Sequence, residues 1–256
     1  MFTFVKERPN CCCLHGNVQS ADVWRCFDRR LGLVAGDELR PFNLVCEDLL
    51  KSDARTIAEW SNGFCKRLRE SSASNNYLIG YSLGGRLAFQ AILEDPTLWS
   101  GVVIVAADPY WLTDDVREFV SKRDEQWARR FCGEPWNTVI EDWNKQDLFG
   151  GRASPQKTEL SGQDVARLMI RFSNSNQEDQ YTELKKLTLR LVPPPVLFVT
   201  GEKDSKYVEI GELLEREISF IRHVVIPDVY HRVPWESPEV FVEVVNGFFL
   251  DCEQRS

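Results

Sequence analysis

Histidine is scarce in this sequence. Only His15, His223 and His231 occur in 256 residues, so chemistry that needs an imidazole base is confined to three positions. Metal-ligand spacing is missing as well. The eight cysteines include a consecutive run, Cys11-Cys12-Cys13, and the others (Cys26, Cys46, Cys65, Cys132, Cys252) form no C-x-x-C pair. Neither a zinc site nor a disulfide framework is implied, and the thiols read as small buried apolar groups. No apolar run approaches the ~20 residues needed to cross a bilayer. The opening Met1 to Arg8 lacks the apolar region of a signal peptide, which points to the cytoplasm or a similarly reducing compartment. Basic charge is not in excess either. Lys and Arg total 31 against 39 Asp and Glu, a formal charge of -8 that argues against nucleic acid or an anionic membrane as partner. Internal repeats and low-complexity tracts are absent, so the length suits one domain, with room for an insertion.

What is present is an alternation of strand and helix signals. Asn10 to Leu14 reads as a strand, with a loop at His15-Gly16-Asn17 and a helix near Ala21 to Arg30. Phe42 to Cys46 is a second strand, and Thr56 to Glu70 a helix with Ile57, Trp60, Phe64 and Leu68 on one face. Strands at Tyr77 to Gly80 and Gly101 to Ala106 flank a helix from Gly84 to Leu93. Gly101 to Ala106 is continuously apolar, as a strand covered on both faces should be. After Pro109 the character changes to charged and aromatic residues at helical spacing. Pro193-Pro194-Pro195 then precedes a strand at Val196 to Thr200, a helix from Val208 to Glu217, a strand from His223 to Ile226 and a last helix from Pro238 to Leu250. This pattern predicts an α/β protein with a mostly parallel central sheet flanked by helices. Its core comprises residues 1–108 and 192–256, with a helical cap inserted at 109–191.

The most informative stretch is Gly80-Tyr81-Ser82-Leu83-Gly84, where an apolar strand ends in Gly-x-Ser-x-Gly and passes directly into an apolar-periodic helix. That context marks a nucleophile elbow, a strained strand-to-helix turn that exposes the Ser82 hydroxyl. Its base should stand where the carboxyl ends of parallel strands gather. His231, after the last strand, meets that condition, whereas His223 opens a strand. The orienting acid should follow a strand between the serine and the histidine. Glu202 and Asp204 both do, and Asp204 is the candidate because the Gly-Glu-x-Asp turn lets it project back across the strand ends. Chain order Ser, Asp, His is that of the α/β-hydrolase fold. An oxyanion hole would use two backbone N–H groups, from Leu83 after the nucleophile and from Asn17 in the His-Gly loop after the first strand.

The elbow Gly80-Tyr81-Ser82-Leu83-Gly84-Gly85-Arg86 is similar to that of the 2-succinyl-6-hydroxy-2,4-cyclohexadiene-1-carboxylate synthases, lyases of menaquinone and phylloquinone synthesis. Three cap segments resemble the same family: Asp124 to Phe131 its first cap helix, Asp142 to Phe149 its Trp-bearing segment, and Arg171 to Asn176 its Arg followed by an Asn-rich turn. The resemblance implies a cofactor-free and metal-free elimination of pyruvate from a tricarboxylate, with Ser82 acting as the base. It implies that Arg86 and Arg171 bind substrate carboxylates, that Trp143 and Phe149 form apolar walls, and that Tyr81 lines the site beside the serine. Where the family carries a further cap arginine this chain has Val120. Arg117 and Arg123 lie three residues to either side, and Arg123 is the candidate of the two. A carboxylesterase or thioesterase with Ser82 as nucleophile would share the triad but has no use for cations in the pocket. A non-catalytic binding protein would need none of the triad.

Overall fold

The computed structural model describes residues 8–35, 38–71, 75–110 and 113–255. In chain order the elements are β1 (Asn10–Leu14), β2 (Gly32–Ala35), β3 (Glu38–Pro41), β4 (Asn43–Glu47), α1 (Ile57–Glu70), β5 (Asn76–Tyr81), α2 (Leu83–Glu94) and β6 (Trp99–Val105). Four helices follow: α3 (Asp114–Gly133), α4 (Trp136–Asn144), α5 (Gly162–Arg171) and α6 (Gln180–Leu187). The remainder is β7 (Val196–Gly201), α7 (Ser205–Glu217), β8 (Ile221–Ile226), α8 (Val233–Glu236) and α9 (Pro238–Arg255).

Six strands form one parallel sheet in the order β4-β1-β5-β6-β7-β8. Its interior strands are apolar over most of their length because both faces are covered. Alternation along the strands then decides the destination of each side chain. Cys12, Leu14, Leu78, Ile104 and Phe198 pack with Trp60, Phe64 and Phe89 of α1 and α2. Cys11, Cys13, Tyr77, Ile79, Val103 and Val199 pack with Phe241, Val245 and Phe249 of α9. The cysteines of β1 are fully buried free thiols, one set to each face. Thr56 starts α1 by accepting the Glu59 N–H at 3.0 Å, an ordinary N-cap.

Two local expectations need correction. The segment expected as a helix from Ala21 to Arg30 is a 3-10 run, Ala21–Phe27, which ends before Arg29 turns left-handed at φ 60°. Trp24 and Phe27, three apart, are both fully buried there, and that spacing suits three residues per turn. The stretch from Leu31 to Pro41 includes a separate antiparallel pair, β2 with β3, which the sequence reading did not anticipate. Asn246 of α9 ties this pair down, accepting from the Gly32 N–H at 3.0 Å and donating to the Arg30 carbonyl at 2.9 Å.

Helices α3 to α6 fall between β6 and β7 in sequence, with α3 and α5 packed together. Their small apolar cluster of Phe131, Val139, Val165 and Met169 also takes in Val18 from the loop after β1. The helical block therefore sits on the sheet edge where the strands end at their carboxyl termini.

Candidate active site

Backbone strain marks this edge. Among the described residues, four of the five non-glycine residues with positive φ, namely Val18, Ser82, Ala106 and Asp228, lie just past the ends of β1, β5, β6 and β8 there. For a β-branched residue such as Val18, at φ 58°, that conformation is costly and persists only when its surroundings enforce it. Ser82 holds φ 52° and ψ -111° between β5 and α2. Its N–H donates to the Val105 carbonyl at 2.9 Å, and its carbonyl accepts from the Gly85 and Arg86 N–H groups at 3.0 and 3.1 Å. The glycines make this turn feasible. A Cβ at Gly84 would strike the Leu14 carbonyl, and one at Gly80 would strike the Gly84 carbonyl.

The structure brings Ser82, His231 and Asp204 together. His231 Nε2 stands 3.1 Å from Ser82 Oγ, and His231 Nδ1 stands 2.6 Å from Asp204 Oδ2. Asp204 and His231 are buried, whereas Ser82 keeps partial exposure to the site. The imidazole is enclosed by rings: Tyr207 at 4.8 Å, Tyr81 at 5.4 Å and Phe149 at 5.8 Å between centroids. Glu202 turns away and accepts the Asp228 N–H at 2.9 Å. His223 pairs with Thr200 Oγ1 at 2.8 Å within the sheet, and burial lowers its pKa.

Asn17 lies in the loop that leaves β1 and Leu83 opens α2 just past β5, and β1 and β5 are neighbouring strands of the sheet. Among the described residues neither backbone N–H has an acceptor. His15 fixes the first loop. It is fully buried, its Nε2 accepts the Leu49 N–H at 2.9 Å, and its Nδ1 then carries the proton that reaches the Gly16 carbonyl at 2.9 Å. Among the described residues no group of three or more His, Cys, Asp or Glu side chains is gathered as a metal site.

The cations differ sharply in setting. Arg86, one turn beyond Ser82, is 3% exposed. It donates Nη1 to Gln177 Oε1 at 3.0 Å and Nη2 to the Phe172 carbonyl at 2.5 Å. Both acceptors are neutral, and among the described residues no carboxylate lies within ion-pair distance. Burial accordingly lowers its pKa to about 10, with Tyr207, Asp124 and Asp108 opposing from farther away. Arg171 is half-buried and donates Nη1 to the Ser52 carbonyl at 2.5 Å, which takes its guanidinium to the loop after β4. Arg123 is exposed and forks onto Asp124 Oδ1 at 2.8 and 3.0 Å, yet its charge is felt at Arg86. Arg117 turns instead to the Ser175 and Gln177 carbonyls at 3.1 and 3.0 Å. Trp143 meets Trp127 and Phe131 edge-on and Phe149 at a tilt, so the two expected wall residues are neighbours, their ring centres 6.0 Å apart.

Three residues escaped sequence reasoning. Tyr207 covers one side of the imidazole, and its place three residues past Asp204, in the first turn of α7, was the only hint. Gln177 joins Arg86 to the core by donating Nε2 to the Asp108 carbonyl at 2.7 Å, a role no local pattern signals. Arg232 lies buried beside His231 with its guanidinium 3.7 Å from the Phe149 ring centre.

The alpha/beta hydrolase family model matches residues 13–244. A 2-succinyl-6-hydroxy-2,4-cyclohexadiene-1-carboxylate synthase of Escherichia coli O1:K1 / APEC is 32% identical over 181 residues, 68% of each chain. A second such synthase, from Escherichia coli O9:H4 (strain HS), is 31% identical over 182 residues, 67% of this chain and 68% of its own. Among solved structures, MenH from S. aureus superposes with a TM-score of 0.83 at 17% identity, over 98% of this chain and 96% of that one. A thermophilic esterase from Thermogutta terrifontis reaches 0.67 at 18% identity, over 95% and 90% of the two chains. At such identities the superpositions speak to fold alone, whereas the sequence matches reach the family. The chain belongs to the alpha/beta hydrolase family and, within it, to the 2-succinyl-6-hydroxy-2,4-cyclohexadiene-1-carboxylate synthases.

Proposed function

We propose that this chain eliminates pyruvate from 2-succinyl-5-enolpyruvyl-6-hydroxy-3-cyclohexene-1-carboxylate, using Ser82, His231 and Asp204 as a proton relay. The observation that carries this reading is the buried Arg86 guanidinium, charged at neutral pH, without an ion-pair partner and one turn from the serine. A buried cation held only by neutral groups is costly in a protein built to fold alone. A carboxylate ligand supplies the missing anion and matches the guanidinium fork. An ester hydrolase acting on neutral substrates gains nothing from it.

In this reading the cap is 109–191, seated on the core of 1–108 and 192–256. His231 Nε2 accepts the Ser82 proton, and the alkoxide removes the ring proton α to the succinyl carbonyl. The C–H electrons form an enolate whose oxygen is held by the Asn17 and Leu83 N–H groups. Collapse of the enolate shifts the ring double bond, breaks the C–O bond to the enolpyruvyl group and leaves the conjugated diene. The leaving group departs as the enolate of pyruvate, takes up at carbon the proton that His231 had gained and becomes pyruvate, which returns the imidazole to its neutral form. Asp204 holds the imidazole in the tautomer that presents Nε2 to Ser82 and steadies it when protonated. Arg86 with cap cations Arg171 and Arg123 would hold the carboxylates, while Tyr81, Trp143 and Phe149 exclude water.

The test is purified protein with the enolpyruvyl substrate, following pyruvate through lactate dehydrogenase. Release of pyruvate in step with formation of the diene supports the reading. Loss of substrate without pyruvate, or turnover of neutral esters in preference to it, would overturn it.

A further inference from the structure

Arg232 is the second buried arginine of the site, 2% exposed, on the turn that carries His231. Its guanidinium donates Nη1 to the Arg152 carbonyl at 2.7 Å and Nη2 to Asn144 Oδ1 at 2.7 Å. The plane lies over Phe149, 3.7 Å from the ring centre. One fork thus grips both ends of a cap stretch, Asn144 where α4 finishes and Arg152 beyond the Phe149 turn, with the aromatic ring of that stretch beneath it. Two further links run alongside. The His231 N–H donates to the Leu148 carbonyl at 3.1 Å, and Arg152 Nε reaches Glu236 Oε2 at 3.1 Å. Glu236 also accepts the Arg232 and Tyr230 N–H groups, each at 3.0 Å.

The side chain's direct acceptors are neutral, and burial lowers the Arg232 pKa below its ordinary value. An apolar side chain of similar length would fill the same space without that desolvation cost. What it could not do is hold two acceptors at once while stacking on a ring, a combination specific to a guanidinium. The ring it holds is the same Phe149 that stands 5.8 Å from the His231 imidazole. Phe149 therefore has a cation on one side and the base of the relay nearby.

We propose that Arg232 is a positioning residue of the reaction: it fastens the Asn144–Arg152 stretch, and with it Phe149, to the His231 turn, so that the aromatic enclosure of the imidazole is complete only when cap and turn are joined. The inference rests on the function proposed above for its kinetic consequence, but the fastening itself is independent of substrate. Displacing a supporting wall by an ångström or so misaligns the imidazole and the serine, an effect that falls on kcat rather than on initial binding.

Two measurements test it. Hydrogen-exchange mass spectrometry of the substrate-free protein compares wild type with Arg232→Met. Faster exchange confined to residues 144–152, with the sheet unchanged, supports the proposal; unchanged exchange there, or a rise spread over the whole chain, overturns it. In the pyruvate assay Arg232→Met should lower kcat by about 10- to 100-fold with KM moved less than about threefold, and Arg232→Lys should recover part of the loss. Because Arg232 acts through Phe149, its substitution should have almost no further effect in a Phe149→Leu background. Multiplicative losses in the double variant would overturn the proposal. If wild type releases no pyruvate, the function proposed above fails while the exchange experiment still decides whether Arg232 holds the cap.

Discussion

Replacing Arg86 with methionine separates its two roles, fold member and ligand anchor. Burial that lowers the pKa to about 10 corresponds to a penalty on the charged form on the order of 3 kcal/mol. Methionine removes that penalty. It also strands Gln177 Oε1 and the Phe172 carbonyl, each unsatisfied acceptor costing about 1–3 kcal/mol. The contributions largely offset, so the melting temperature should move by no more than about 5 °C for a chain of this size. Activity has no such compensation. Truncating one partner of a buried, hydrogen-bonded charge pair costs about 2–5 kcal/mol, which lowers kcat/KM from about 30-fold to several thousand-fold. Arg86→Lys keeps the charge but loses the fork, and should fall between the two. A thermal-shift titration with the reaction product gives an independent reading, since a ligand that binds only the native state raises its melting temperature. Wild type should be stabilised and Arg86→Met should not. A kcat/KM within fivefold of wild type, or equal stabilisation of both proteins by product, would refute the assignment of Arg86 to a carboxylate.

Other substitutions have outcomes that follow from the geometry. Ser82→Ala and Ser82→Gly should both lower pyruvate release by about 10³-fold or more, because the relay loses its proton carrier. In a urea melt only the glycine variant should gain, by about 1 kcal/mol, since it alone relieves the positive φ. Asp204→Asn should cost about 10³-fold or more in kcat by releasing the imidazole from the needed tautomer, with near-normal stability by circular dichroism. Gly84→Ala should destabilise by about 3 kcal/mol in the same melt, because its Cβ meets backbone that cannot yield. Arg123→Ala should leave stability within about 0.5 kcal/mol and raise KM; an unmoved KM would transfer the cap charge to Arg117.

The elbow was legible because its causes are local. Gly80, Gly84 and Gly85 sit within a few residues of Ser82, and the turn they permit needs nothing from the rest of the chain beyond the Leu14 and Ala107 surfaces they approach. The strands of the sheet were legible for a similar reason. A strand covered on both faces reads as an unbroken apolar run, so β5, β6 and β7 stood out at nearly their observed limits. The 3-10 run at Ala21–Phe27 and the β2–β3 pair did not, because Asn246, more than two hundred residues away, holds the latter in place. Arginine is the clearest case. Arg86, Arg123 and Arg171 look alike in sequence, yet one is buried against neutral acceptors, one is exposed on Asp124 and one reaches the Ser52 carbonyl. Their difference arises from acceptors 91, 1 and 119 positions away.

Residue order alone determined the sheet, the strained turn under Ser82 and the succession of serine, acid and histidine, since each follows from periodicity, glycine placement or chain order. Tertiary structure decided which cations lose their water. That outcome depends on how α5, the loop after it and the Asn144–Arg152 stretch close over the strand ends, and desolvation is a property of all the neighbours together. Arg86 and Arg232 became buried charges with neutral partners only through that closure, and no spacing within the chain could have announced it.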